Sequence, residues 1–236
     1  MKIEKYSNKH IHYYTGEIPE MVEFVFKSML VDNFADLGAG DGSLLYSLYK
    51  RGCLNQSSNV IAVDISKERI NNIRKIDDRI KCFAGDISNL TMIKNGSLDF
   101  VVSSQVIEHI SAHGKAVEEA YRILRAGGLF YLSTVFKKWY GWYFYRAQGR
   151  WVLDPTHVRE YENTEELLRI VRNYRFEVLQ EKKSLCWFPL TDFFLKRIYP
   201  LRYARIAYNN RLLSWLRRIK VPILGYYNWE MVLKKK

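Results

Sequence analysis

Cysteine is sparse and scattered in this 236-residue chain: Cys53, Cys82 and Cys186 are the full set. Three thiols so far apart exclude a disulfide framework and a zinc knuckle. Each is expected to pack as a small hydrophobe in a reducing compartment. Long apolar runs are missing too, and no stretch reaches the ~18 uninterrupted apolar residues of a membrane-spanning helix. Met1 to His12 is polar and charged, so the sequence predicts no signal peptide. It contains no internal repeat and no low-complexity linker. At 48% apolar residues, this length predicts a single domain, 1–236, with ample material for a core.

Acidic residues are scarce at one end only. From Trp187 to Lys236, eleven Lys and Arg face two acids, Asp192 and Glu230. The rest of the chain is nearly balanced, so the net charge of +12 sits mainly in the C-terminal fifth. That asymmetry predicts an anionic partner for the tail: phosphate, a lipid surface or nucleic acid. Aromatic residues, by contrast, are plentiful at 15%.

The pattern along the chain alternates strands with helices. Helical spacing over Glu17–Val31 leads into an apolar strand, Phe34, Ala35 and Leu37. Three alternating glycines follow, Gly38, Gly40 and Gly42, and a helix starts at Ser43. Glycine lets the backbone turn sharply and lets a ligand approach closely, and the new helix points free N–H groups at it. Further strands are expected at Val60–Asp64, Ile80–Ala84, Leu98–Ser103, Leu129–Val135, Phe176–Leu179 and Glu230–Leu233. Helices are expected after the second strand to about Arg74, over Gly114–Leu124, and from Asn163 or Thr164 to about Asn173. The fold class this predicts is α/β, Rossmann-like and doubly wound. Its sheet is seven-stranded and mostly parallel, with an antiparallel last strand.

A dinucleotide fingerprint would place its third glycine at position 43, which is Ser43. The spacing Asp36-x-Gly38-x-Gly40-x-Gly42 instead resembles the first motif of class I S-adenosylmethionine-dependent methyltransferases. Asp64 ends the second strand, where a carboxylate can accept both hydrogen bonds of a ribose diol. Gly85-Asp86-Ile87 ends the third. Asp99-Phe-Val-Val-Ser-Ser-Gln105-Val-Ile-Glu108-His109-Ile resembles the family's fourth motif in the ubiquinone- and menaquinone-biosynthesis branch. Glu119 to Phe130 resembles its helix, glycine turn and fifth strand. Five elements in order cover residues 34–135; the likeness fades after Lys137 and is only architectural after Phe188.

The resemblance implies S-adenosylmethionine as the methyl donor. Its methionine end would sit on Asp36, Gly38, Ala39, Gly40 and Gly42, with Asp36 or a water meeting the ammonium group. Asp64 and Ile65 would hold the ribose side, and Asp86 and Ile87 the adenine. Ser104, Gln105 and Val106 would line the place where the methyl is exposed. Transfer needs acceptor, methyl and sulfur in line, and positioning supplies most of the acceleration. A general base is needed only if the acceptor must lose a proton early.

Candidate catalytic residues are His109, His157 and Arg159. His109 follows Glu108 past the fourth strand and reads equally as a base or as a loop-orienting residue. His157 and Arg159 lie in Asp154-Pro-Thr-His-Val-Arg-Glu-Tyr161, a segment the family often places over its site. They could touch substrate or brace the loop. No metal is expected, because no carboxylate or cysteine stands at ligand spacing from these histidines.

Three segments are expected to surround this centre. They are an N-terminal helical segment, 1–31, an aromatic lid loop, 137–162, and a basic aromatic helical insertion, 187–227. In the insertion Arg and Lys interleave with aromatics, and Pro200 and Pro222 divide and end it. Such a segment suits an anionic membrane surface or a lipid-linked substrate. It also suits RNA, or serves as a solvated cap. The favoured function is methyl transfer to O, N or C of a small-molecule or lipid-linked acceptor, in the cytoplasm or at the inner membrane surface. An RNA acceptor is less favoured, because Ser103-Ser-Gln-Val stands where an Asn/Asp-Pro-Pro-Tyr/Phe tetrad would be. A non-catalytic peripheral-membrane or binding protein is the third reading; intact acids at 36, 64 and 86 argue against it. Oligomeric state is not encoded legibly.

Overall fold

The computed structural model describes residues 16–147, 149–189, 210–216 and 218–236. Five parallel strands form its centre: β1 (Asn33–Leu37), β2 (Asn59–Asp64), β3 (Ile80–Ala84), β4 (Leu98–Ser104) and β5 (Leu124–Lys137). A short hairpin follows, β6 (Tyr145–Ala147) and β7 (Arg150–Val152). Two long strands, β8 (Phe176–Pro189) and β9 (Lys220–Lys235), complete the main sheet. Its order is β3-β2-β1-β4-β5-β9-β8, with β9 antiparallel to both neighbours. This is the expected seven-stranded, mostly parallel sheet with an antiparallel last strand.

Strand alternation builds two apolar layers. Phe34, Phe100 and Val102 face one layer, under α1 (Glu20–Ser28), α2 (Ser43–Lys50) and α3 (Lys67–Ile73). Ala35, Leu37 and Val101 face the other, under α4 (His113–Ile123) and α5 (Thr164–Asn173). Asn163 caps α5 by accepting from the Glu165 N–H, and Lys235 Nζ donates to the carbonyls of Tyr121 and Leu124 at the end of α4. Both satisfy helix-end groups that lack an intrahelical partner.

Several expected boundaries change. Gly127 and Gly128 lie inside β5, because β4 and β5 shift register there: Leu98 pairs with Leu124, but Phe100 pairs with Leu129. The insertion is not helical across 187–227. Trp187–Pro189 belongs to β8, and residues 220–227 belong to β9, paired as a hairpin. Pro222 therefore lies within a strand rather than ending the insertion. Of the remainder, Arg211–Leu216 forms a short helix, α6, and residues 190–209 lie outside the described residues. The expected lid loop contains the β6–β7 hairpin. Residues 1–15, with Tyr13 and Tyr14, also lie outside the described residues.

Candidate active site

A large cavity of about 910 Å³ opens at the carboxyl ends of β1, β2, β3 and β4. That is where an open α/β sheet places its ligand. Gly38 carries φ +77°, and a Cβ there would lie 2.5 Å from Val106 Cγ2, so the turn closes directly on the second residue after β4. Gly40 carries φ +56° and donates its N–H to Asp64 Oδ2 at 2.9 Å. The Ser66 N–H donates to Asp64 Oδ1 at 2.8 Å. These bonds fix the carboxylate while each oxygen keeps a lone pair for a hydroxyl.

Asp36 is buried at the floor. Burial, and next the charge of Asp64, push its carboxyl up to about 7. A cation brought into the cavity would favour the ionised form. Asp86 is exposed at the end of β3, with one oxygen accepting from the Ser88 N–H. Ile65 is exposed and Ile87 buried beside it, both on the cavity wall. Ser104 shares a hydrogen bond with Ser133 at 3.0 Å. Gln105 sits at φ +56°, strained for a residue with a side chain, and its Nε2 donates to Asn228 Oδ1 at 2.8 Å.

Eleven of the twelve residues expected at the cofactor line this cavity; Gly42 does not. It is the N-cap of α2, and a Cβ on it would lie 2.6 Å from Ile76 Cδ1 and 3.0 Å from Ile73 Cγ1. The structure thus places Gly42 in packing against Ile73 and Ile76 rather than on the cavity wall. Glu17, Glu20, Asp41, Lys182, Asn228 and Glu230 line the cavity unforeseen. Asp41 lay within the glycine turn and could have been read there. The others come from α1 and its lead-in, and from β8 and β9, whose extent the sequence hid.

His109 and His157 line the cavity and Arg159 does not. Arg159 donates to the carbonyls of Ile107, Ile110 and Ser111, so it braces rather than reaches. The N–H groups of Val158 and Arg159 both donate to the Glu108 carbonyl. The segment after β7 is thus latched onto the turn after β4. The two histidine rings meet edge to face with centroids 4.8 Å apart. His157 Nδ1 lies 2.8 Å from Glu160 Oε1, and His109 Nδ1 lies 3.0 Å from Thr156 Oγ1.

Glu108 is fully buried beside them. Burial raises its carboxyl to about 7, against an opposing pull from His157. One carboxylate oxygen and one ring nitrogen from each histidine lie within 4.8 Å of one another. The expectation that no carboxylate accompanies the histidines is therefore corrected. Spacing along the chain concealed a cluster that the latch between the turn after β4 and the segment after β7 brings together.

The residues fit S-adenosylmethionine: a glycine cradle, a fixed carboxylate at the end of β2, and a buried acid on the floor. The cavity lies at the upper end of the ~300–1,000 Å³ range of small-molecule sites, so an acceptor can share it.

Comparison with known proteins agrees. Residues 35–132 match the family model described as a methyltransferase domain. A Mycolicibacterium smegmatis protein, described as a probable S-adenosylmethionine-dependent methyltransferase, is 32% identical over 120 residues. That match covers 50% of this chain and 44% of the relative, so the chain spans under half the length of this curated relative. A candidate methyltransferase from Bacillus halodurans C-125 superposes with a TM-score of 0.62 at 13% identity, covering 92% of this chain and 98% of that one. The [4+2]-cyclase SpnF superposes at 0.63 with 15% identity, covering 99% and 90%. At such identities these structures speak for the fold alone. The matched span, the fold and the site together support a class I methyltransferase domain over residues 35–132 and imply S-adenosylmethionine as its cofactor.

Proposed function

We propose that the chain transfers the methyl group of S-adenosylmethionine to a lipid-linked or amphipathic small molecule drawn from a membrane surface. One observation carries this reading. An exposed, mostly aromatic ridge lies beyond the cavity, past the end of β5 and on the β8–β9 hairpin: Trp139 is 86% exposed, Phe144 68%, Trp187 53% and Leu224 69%. Trp142 stacks edge to face on Phe144 and Trp151, its N–H donates to the Leu224 carbonyl, and Trp187 pairs across the hairpin with Pro222. Asn228 lines the cavity, and Pro222 stands about 20 Å further along β9.

Arg146, Arg150, Arg218 and Lys220 belong to the same elements or flank them. Aromatic rings with cations around them suit the boundary between headgroups and acyl chains. Among the described residues no helix is long and apolar enough to cross a membrane, so the contact would be interfacial. This reading puts the protein at the inner surface of the cytoplasmic membrane.

The test is mass spectrometry of lipids and small molecules from cells with and without the protein, fed methyl-labelled methionine. A labelled species in the lipid extract that disappears with the protein is the expected result. Label confined to RNA would overturn the acceptor class.

A further inference from the structure

We propose that Glu108, His109 and His157 form a divalent-cation site in the cavity wall, and that the cation holds an oxygen acceptor. The cation site stands on geometry alone. The acceptor's role rests on the methyl-transfer reading above.

Three observations carry it. The first is convergence: one donor atom from each residue lies within 4.8 Å of the others. Ligand atoms around an ion with bonds of ~2.1 Å stand roughly 3–4 Å apart, so small side-chain rotations close the set. The second is an orphaned atom. Glu108 is 0% exposed; its Oε2 accepts from Thr134 Oγ1 at 3.0 Å, but its buried Oε1 has no hydrogen-bond partner among the described residues. A buried polar atom without a partner is costly and rare. A cation would supply the missing partner.

The third is the outer partners of the rings. Glu160 Oε1 is a carboxylate oxygen, so His157 Nδ1 carries the proton and donates to it. Thr156 gives its single hydroxyl proton to Asp154 Oδ1 at 2.6 Å, so His109 Nδ1 donates to Thr156 Oγ1. With each Nδ1 as the donor, the ring nitrogen that would meet a cation is Nε2. Metal-binding histidines are held this way, with the far N–H on a carboxylate or another acceptor. The latch through Arg159 and the Glu108 carbonyl holds both histidines in register.

Two imidazoles and one carboxylate suit Zn²⁺, Mn²⁺, Fe²⁺ or Co²⁺ better than Mg²⁺ or Ca²⁺. Three protein ligands leave coordination positions for a hydroxyl oxygen of the acceptor, whose pKa the cation lowers. The hydroxyl proton leaves to water. Its oxygen forms the new bond to the methyl carbon, the carbon–sulfur bond breaks, and that electron pair stays on sulfur as a neutral sulfide.

Metal-stripped protein titrated calorimetrically with Mn²⁺ and Zn²⁺ tests the site. One equivalent is expected to bind, with affinity falling at least tenfold in His109→Gln and in His157→Gln. Catechol, an oxygen-donor probe, is expected to bind the loaded protein at least tenfold more tightly than the stripped one. Asp64→Ala is expected to abolish binding of S-adenosylmethionine and keep that of the cation. No stoichiometric cation, or histidine variants that bind it like the parent, would overturn the site. Catechol binding indifferent to the cation would overturn its role toward the acceptor. Unaltered S-adenosylmethionine binding by Asp64→Ala would instead sink the methyl-transfer reading, with the cation site intact.

Discussion

Gly38 shows how little room the glycine turn leaves. A Cβ at this position meets Val106 at 2.5 Å, and its φ of +77° is unfavourable for any side chain. Gly38→Ala is expected to cost ~1–3 kcal/mol, from left-handed strain and overpacking together. Adding Val106→Ala should recover only the packing part, a split that urea denaturation can read. Asp36 makes a different prediction, set by charge. Its folded pKa of about 7 lies above the value of 3.8 it would have in water. Between these values the folded protein holds a proton that the unfolded chain releases. This residue's contribution to stability therefore falls as pH rises from about 4 to 7. S-adenosylmethionine carries a sulfonium and an ammonium, so its binding favours the ionised carboxyl. Its affinity should climb with pH and level off above about 7. Calorimetry in buffers of different ionisation heat should show proton release at pH ~6 and little at pH ~8. Asp36→Asn should lose the difference.

At the scale of elements, the latch between the β4 turn and the segment after β7 predicts a distinctive variant. Arg159 gives three hydrogen bonds to carbonyls from a half-buried position. Arg159→Ala should destabilise by ~2–4 kcal/mol, the scale of a few charge-assisted bonds lost together. Arg159→Lys should not rescue it, because an ammonium lacks the planar fork. Hydrogen exchange should quicken over residues 153–160 and leave β1 to β4 unchanged. This latch also explains what the sequence could and could not disclose. Glycines and acids at strand ends were legible, since turn chemistry is local: Asp64 and Asp86 both stand where β2 and β3 stop. The full length of the β8–β9 hairpin was not, since only Phe176–Leu179 and Glu230–Leu233 were expected. β8 is an edge strand with Leu179 51% exposed and Lys182 and Lys183 along it, so it lacks the alternation that marks a half-buried strand. The Glu108–His109–His157 cluster was hidden because its members are joined by pairing, not by spacing.

For the whole molecule, the nearly balanced body and the basic C-terminal fifth imply an orientation. The cationic fifth carries β9 and α6, and the exposed rings of Trp139, Phe144 and Trp187 share that end of the sheet. Charge and aromatic burial should then contribute separately to vesicle binding. Each Lys or Arg near an anionic surface contributes ~1 kcal/mol. That part is screened as the Debye length shrinks from ~10 Å at 0.1 M salt to ~3 Å at 1 M. Aromatic burial is not screened. Flotation with phosphatidylglycerol vesicles should therefore show binding that falls steeply with salt to a plateau above zero. Trp139→Ala with Trp187→Ala should remove the plateau and leave the slope. Neutralising Arg146, Arg150, Arg218 and Lys220 should flatten the slope and keep the plateau. Binding that vanishes at high salt in the parent protein would reduce the ridge to ordinary surface and leave only nonspecific charge attraction. A plateau lost with the two tryptophans would tie membrane contact to the elements that border the cavity.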